Sequence, residues 1–150
     1  MERCSRGKVI ALGIFSVLMA ACAGARPDNP GTKNGLLALC PNSPNCVSSQ
    51  GKDGRHSIAP LTFSNDPDSA MPRLKMLLKN RKDTTLIEAD SGYLRVEFHT
   101  TFFVDDGEFL LDREKKLIHI RSASRIGYSD LGKNRSRLEE IRRDFAKGGA

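Results

Sequence analysis

Between Asn65 and Phe145 the apolar positions change period twice, and those changes set the predicted elements. Ala70, Leu74, Leu77 and Leu78 recur at helical spacing, with Lys75, Lys79 and Arg81 on other faces. Asn65-Asp-Pro-Asp-Ser69 supplies helix-start signals ahead of them. Pro72 fits the first turn of that helix and would not fit its middle, and the helix is predicted to end near Arg81. The period then falls to two. Thr84 to Ala89 is rich in β-formers, and Asp90-Ser91-Gly92 reads as a turn. Leu94, Val96, Phe98, Thr100 and Phe102 alternate with Tyr93, Arg95, Glu97, His99 and Thr101. That pattern predicts one long half-buried strand with the first set toward the core. Asp105-Asp106-Gly107 reads as the next turn, Glu108 to Asp112 as a strand, Arg113 to Lys116 as a turn and Leu117 to Ser122 as a further strand. Leu138, Ile141 and Phe145 return to the helical period and mark a last amphipathic helix from about Asn134 to Lys147, which Asp130 or Asn134 can cap.

With Ile58 to Phe63 as a short extended opening segment, the order is segment, helix, four strands, helix. An α+β fold satisfies it, with an antiparallel four-stranded meander packed against an N-terminal and a C-terminal helix. The same order resembles a reduced helix-grip arrangement, in which the sheet wraps the last helix and leaves an apolar cavity. Fold likeness of that kind does not assign an activity.

Upstream, residues 1–21 read as a signal peptide. Arg3, Arg6 and Lys8 form a positive start, and Val9 to Ala20 an apolar run of about twelve residues that ends in small side chains. Met19-Ala20-Ala21-Cys22 resembles a bacterial lipobox, with Met19 where Leu is usual. The expectation is a diacylglycerol thioether on Cys22, which becomes the first mature residue, with several acyl chains giving lasting attachment. Ala23, rather than Asp, after the cysteine resembles outer-membrane retention in cells with two membranes. Ordinary cleavage after Ala23 or Ala25 would instead release a soluble exported protein, and an uncleaved anchor is the third reading. Residues 22–39 carry Gly24, Pro27, Pro30, Gly31 and Gly35 and read as a flexible lipid-attached linker, with Leu36 to Leu39 able to dock. Residues 40–150 are then a single domain, of adequate length for its own core.

Composition adds little. The 150 residues carry a formal net charge of +6. Without Glu2, Arg3, Arg6 and Lys8, the 24 basic and 18 acidic residues become 21 and 17, a net +4. Such a mild surplus suits anionic headgroups or acidic envelope polymers. No basic stripe interleaved with aromatics points to nucleic acid. After the leader, no apolar run approaches the roughly 20 residues of a spanning helix. Cys40 and Cys46 bracket Pro-Asn-Ser-Pro-Asn, and in an exported chain the default is a disulfide, worth about 2 kcal/mol from loop-closure entropy. Unpaired thiols, a redox pair or half a metal site are the alternatives. The spacing is not C-x-x-C, and His56, His99 and His119 are too scattered to complete a zinc set. The sequence calls for no metal and no cofactor.

The most unusual residues are Phe102-Phe-Val-Asp-Asp-Gly-Glu-Phe109 and Ile120-Arg-Ser-Ala-Ser-Arg-Ile-Gly-Tyr-Ser-Asp-Leu-Gly-Lys-Asn-Arg-Ser-Arg137. With the segment Cys40 to Ser49, their order resembles a family of small bacterial and plastid proteins classed only as a domain of unknown function, numbered fourteen ninety-nine. The resemblance runs from about Leu39 to Phe145, and Gly107 departs from it, since the family often has a larger residue there. It implies a fold and a frequent envelope location, and no activity.

Within these motifs Asp105, Asp106 and Glu108 form an acidic cluster placed at a strand–turn–strand junction. Arg121, Ser122, Ser124, Arg125, Tyr128, Asn134 and Arg135 form a candidate ligand-binding set, in which guanidinium groups, hydroxyls and a helix N-terminus could hold phosphate or carboxylate. The structural alternative pairs the arginines with the carboxylates. Catalysis would need a base beside Ser122, Ser124 or Ser129. Strand alternation separates His119 from Ser122, no G-x-S-x-G elbow is present, and adjacent Asp105 and Asp106 point apart as an acid–base pair would not. The expected function is thus a non-catalytic envelope lipoprotein that binds an anionic ligand or a partner. An apolar-ligand carrier and an envelope hydrolase are the competing readings.

Overall fold

The computed structural model describes residues 24–27, 31–64 and 66–148. The expected signal peptide, the expected lipidation site Cys22 and the helix-start residue Asn65 lie outside the described residues. In chain order the elements are β1 (Cys46–Ser48), β2 (Leu61–Thr62), α1 (Pro67–Lys79), β3 (Thr84–Ala89), β4 (Tyr93–His99), β5 (Val104–Asp112), β6 (Leu117–Ser124) and α2 (Lys133–Lys147).

Helix α1 starts where its cap chemistry allows. The Asp66 carboxylate accepts the Asp68 N–H at 3.0 Å, and Pro67 takes the first helical position. Pro72 therefore lies past the first turn, against expectation, where the N–H it lacks would have faced the Asp68 carbonyl. Ala70, Met71, Leu74 and Leu78 form the buried stripe of α1. In α2 the stripe is Asn134, Arg137, Leu138, Ile141 and Phe145, which includes two polar residues.

The architecture is α+β, and the sheet has six strands rather than four. Its order is β1-β6-β5-β4-β3, with β2 beside β1 on the free edge of β6. All of these pairings are antiparallel. Helix α1 packs over β3, α2 over β6, β1 and β2, and the two helices touch. Between them and the sheet lies one core of Val47, Leu94, Val96, Phe98, Phe109, Ile118, Ile120, Leu74, Leu138, Ile141 and their neighbours. The disulfide Cys40–Cys46 is formed and delivers the chain into β1.

Three expectations are corrected. The strand read as running to Phe102 ends at His99, and Phe102 is exposed rather than in the core. The turn falls on Thr100 to Phe103, where the Thr100 hydroxyl accepts the Phe103 N–H. Asp105-Asp106-Gly107 is consequently not a turn but the middle of an extended strand. Turn-like composition gives way there because each carboxylate has an arginine partner and Gly107 has a packing role. Gly107 pairs with Val96, and a Cβ on it would stand 2.4 Å from Phe98 Cε2 and 2.8 Å from Val96 Cγ2. The Phe98 ring fills the space a side chain would need.

Gly107→Ala is expected to lower stability by about 1–3 kcal/mol from overpacking, although alanine normally suits a strand better than glycine. Urea unfolding checks it. A Phe98→Leu change in the same chain should restore part of the loss, and an unchanged midpoint for Gly107→Ala alone would contradict this packing.

Candidate functional site

Strand alternation gives the sheet a second face, away from the helices, and that face is charged. Register places Tyr93, Arg95 and Glu97 of β4, Asp106 and Glu108 of β5, and Arg121 of β6 on it together. Glu97 is 6% exposed, Asp106 3% and Glu108 0%. Isolated carboxylates so placed would be very costly, and here each has partners. Arg125, just past β6, donates from Nε to Asp106 Oδ2 at 2.8 Å, and from one NH₂ to Asp106 Oδ1 at 2.9 Å and Glu97 Oε1 at 2.5 Å. Arg95 reaches Asp106 at 3.4 Å. Glu108 accepts from Arg121 at 2.8 Å and from the Tyr93 hydroxyl at 2.8 Å. The Asp106 bond raises the Arg125 pKa further above its ordinary value, against burial, and Glu97 adds to the rise. Burial works against the Glu97 carboxylate, yet its bonds from Arg26 and Arg125 prevail and hold its pKa below the usual range. Burial, then the Glu108 charge, pushes the Tyr93 hydroxyl far up.

This face is roofed by the segment expected to be a free linker. Arg26 Nε donates to Glu97 at 2.7 Å, the Gly31 N–H donates to Glu108 at 2.8 Å, and the Pro27 carbonyl accepts from Arg95 at 3.5 Å. Leu37 is buried, and its N–H bonds the Gln50 side chain at 2.8 Å. The described part of residues 22–39 is thus docked on the domain. Between segment and sheet runs a cleft of about 310 Å³, lined by Ala25, Pro27, Pro41, Asp106, Arg121 and Arg125 among others.

Asp105 points the other way, into the helix side. Arg137 of α2 donates to it at 2.8 Å and lies over the Phe98 ring at 4.6 Å. Beside this pair, Ser122 Oγ donates to Asn134 Oδ1 at 2.5 Å, and Asn134 Nδ2 donates to Ser124 Oγ at 3.0 Å and to the Asn45 carbonyl at 3.1 Å. The N-cap of α2 is Gly132 at φ 78° rather than Asp130 or Asn134, and the Asp130 carboxylate before it accepts the Asn134 N–H at 2.8 Å. Asn134 is a buried cross-link between helix, β6 and the disulfide loop.

The candidate ligand set therefore divides into four places. Arg121 and Arg125 stand on the charged face. Ser122, Ser124 and Asn134 are tied together on the helix face. Arg135 is elsewhere, donating to the carbonyls of Ser57 at 2.7 Å and Arg55 at 2.9 Å. Tyr128 is exposed in the β6–α2 loop. The acidic cluster divides as well, with Asp105 opposite to Asp106 and Glu108. Carboxylates and guanidinium groups do face one another, as the structural reading of the motifs required. Sequence reasoning missed Arg26, Tyr93, Arg95, Glu97 and Arg137. The strand period had already put Tyr93, Arg95 and Glu97 on one face, and the helical period puts Arg137 in line with Leu138 and Ile141.

Three histidines have assigned contacts. His56 bonds Asp53 Oδ2 at 2.8 Å and the Ser43 carbonyl at 3.1 Å, and the Asp53 bond raises its pKa, which favours the imidazolium with both N–H groups donating. His99 stands 3.6 Å from Glu97. His119 Nδ1 meets Ser49 Oγ at 3.2 Å, with Asp112 at 3.9 Å from its other nitrogen. Hydroxyl, imidazole and carboxylate meet here without the working geometry, because the 3.9 Å approach of Asp112 is too long for a hydrogen bond and Asp112 is held by Lys115 at 3.1 Å. Among the described residues, no group of three or more His, Cys, Asp or Glu could hold a metal ion.

A small disulfide-stapled α+β domain with one apolar and one charged sheet face is the class these features define. The family model described as "Protein of unknown function (DUF1499)" matches residues 36–145, and the chain belongs to that family. No curated protein and no solved structure matches it.

Removing Arg125 leaves Asp106 and Glu97 buried and under-paired. Arg125→Gln is expected to cost about 3–5 kcal/mol. Asp106→Asn added to it should cost less than the sum of the two single changes, since they share one interaction. Denaturant unfolding of the three variants measures this, and additive losses would show that the pair is not coupled.

Proposed function

We propose that this protein is a non-catalytic, lipid-anchored domain of the cell envelope that holds a small anionic group, phosphate or carboxylate, in the cleft beneath its own N-terminal segment. The observation that carries the binding reading is the state of Arg121. It lines the cleft, one of its terminal nitrogens is held by Glu108, and its Nε is buried with no hydrogen-bond partner among the described residues. A buried donor left unmet costs about 1–3 kcal/mol, and an anion oxygen in the cleft would meet it. Charge agrees in sign. Among the described residues the cluster holds the guanidinium groups of Arg26, Arg95, Arg121 and Arg125 against the carboxylates of Glu97, Asp106 and Glu108. The anchor reading rests on the leader and on Cys22.

A helix-grip carrier is not proposed. Leu138 and Ile141 are fully buried and Phe145 is 1% exposed, so the face of α2 toward the sheet is packed rather than hollow. Nor is a hydrolase, because Ser122 donates its hydroxyl hydrogen to Asn134 Oδ1 and, among the described residues, no hydrogen bond joins Ser122, Ser124 or Ser129 to a histidine or carboxylate that could act as base.

Inorganic phosphate titrated into the mature protein should shift the Arg121 Nε–H and the neighbouring Ala123 and Arg125 N–H resonances saturably, with a midpoint on the order of 1 mM. Arg121→Lys keeps the charge and the Glu108 partner but lacks the Nε–H, and should abolish the response at Ala123 and Arg125. Arg135→Gln should leave it intact. No saturable shift, or equal loss in both variants, would refute the binding reading.

The anchor is checked separately by intact mass. Protein from a bacterial envelope should begin at Cys22 and carry acyl mass, and Cys22→Ser should carry none. A mature chain beginning at Gly24 or Arg26 without acyl mass would refute the anchor.

A further inference from the structure

Among the described residues, five of the eight exposed large hydrophobic ones lie at one end of the sheet: Phe102 at 62%, Phe103 at 50%, Ile126 at 36%, Tyr128 at 71% and Leu131 at 96%. They belong to two neighbouring loops, the β4–β5 turn and the β6–α2 connection. The register pairs His99 with Val104 and Asp105 with Ser124, which sets the loops side by side. A mostly apolar groove of about 190 Å³ runs between them, lined by Phe103, Val104, Ile126, Gly127, Leu131 and Lys133 among others. Leu131 is held outward. Its backbone sits at φ 54°, a region that side-chain-bearing residues avoid, and it lies between the Ser129 and Asp130 bonds that shape the loop. A leucine almost wholly in water and in a disfavoured conformation does nothing for the fold.

The docked N-terminal segment says what this end faces. It begins at the same end of the sheet. A Cβ on Gly24 would stand 2.8 Å from Ile126 Cγ2 and 2.8 Å from Arg125 Cβ, so Gly24 rests directly on the β6–α2 loop. From there the chain runs toward β4 through Arg26 and Pro27, away from the loops. Cys22 is two residues before Gly24, and two residues span at most about 7 Å. A lipid on Cys22, with its own side chain and glycerol added to that reach, would therefore enter its bilayer close to this end of the sheet. Tyr128 and Lys133 fit the boundary of such a layer, where an aromatic ring with a polar tip and an ammonium group on a long stem sit at headgroup level.

We infer that the Phe102–Phe103 turn and the Ile126–Leu131 loop form a membrane-contact surface, which inserts into the lipid headgroup and upper acyl region beside the anchor and fixes the orientation of the domain on the bilayer. The inference rests on the anchor reading for the position of the bilayer, but its test does not. Apolar side chains on a rigid loop pair partition into the interface, and Lys133 adds attraction to anionic headgroups. With the loops inserted, the domain rests against the lipid surface instead of swinging on a linker.

The chain contains no tryptophan, so a single introduced one reports its own surroundings. Phe102→Trp and, as a control, Met76→Trp on the exposed side of α1 are compared on vesicles of phosphatidylethanolamine and phosphatidylglycerol with brominated acyl chains. The acylated protein should show at least about twofold quenching at position 102 and almost none at 76. Equal quenching at both positions, with acyl mass present on Cys22, would overturn the contact surface while leaving the anchor standing. Should Cys22 carry no acyl mass, the anchor reading fails by itself. The unacylated chain then decides the surface on the same vesicles, where quenching at 102 but not 76, weakened by Leu131→Ser, supports it and no quenching overturns it. A chain that stays unquenched and sediments as a dimer, with Leu131→Ser dissociating it, would assign the patch to a second copy and overturn the lipid contact.

Discussion

The structure depends on burying the second face of its sheet with charge rather than carbon. A four-stranded run with helices on one side can leave its other side to water, as antiparallel sheets commonly do. Here that side is covered, and what covers it is a short segment with few apolar residues. The cover works because Glu97 and Glu108 each keep one acceptor for the segment after their arginines are served. Glu97 takes Arg26, and Glu108 takes the Gly31 N–H. Buried pairs of this sort contribute little net stability over apolar packing, and their better-attested use is to fix one arrangement among several. The path of the N-terminal segment is such an arrangement. It is specified by where two carboxylates stand rather than by a greasy groove.

The sequence carried the helices and most of the sheet because their signals are periodic. Thr84 to Ala89, the Asp90–Gly92 turn and the last helix need only apolar spacing and local turn chemistry. The middle of the domain was harder for one physical reason: its contacts are polar and long-range. Asp105-Asp106-Gly107 has the composition of a turn, and only partners on other elements, Arg137, Arg125 and the Phe98 ring, explain why it is extended. The linker misled in the same way. Proline and glycine without an apolar period read as loose chain, and hydrophobic patterning does not register a guanidinium or a backbone N–H meeting a buried carboxylate.

The candidate site shows the same division. The motifs hold arginines and carboxylates that face one another, and strand alternation alone separates Asp105 from Asp106. Alternation is in fact the device. Consecutive aspartates on one strand reach opposite faces, so β5 is bonded to α2 through Asp105, to Arg95 and Arg125 through Asp106, and to Arg121 and the N-terminal segment through Glu108. Arg135 was misjudged because helical spacing was applied to the apolar residues and not to the arginines. Counting by three and four from Asn134 reaches Arg137, Leu138 and Ile141, and leaves Arg135 on the flank.

Ser122 donates its hydroxyl hydrogen to Asn134, Ser124 and Ser129 each accept one N–H, and the acidic residues of the motifs are matched by arginines at short range. What the charged face leaves unmet is donor capacity: Arg95 Nε and Arg121 Nε are buried without partners among the described residues. Unmet N–H groups beside a cleft attract an acceptor, whether an anion or a bridging water, and neither needs the protein to break a bond.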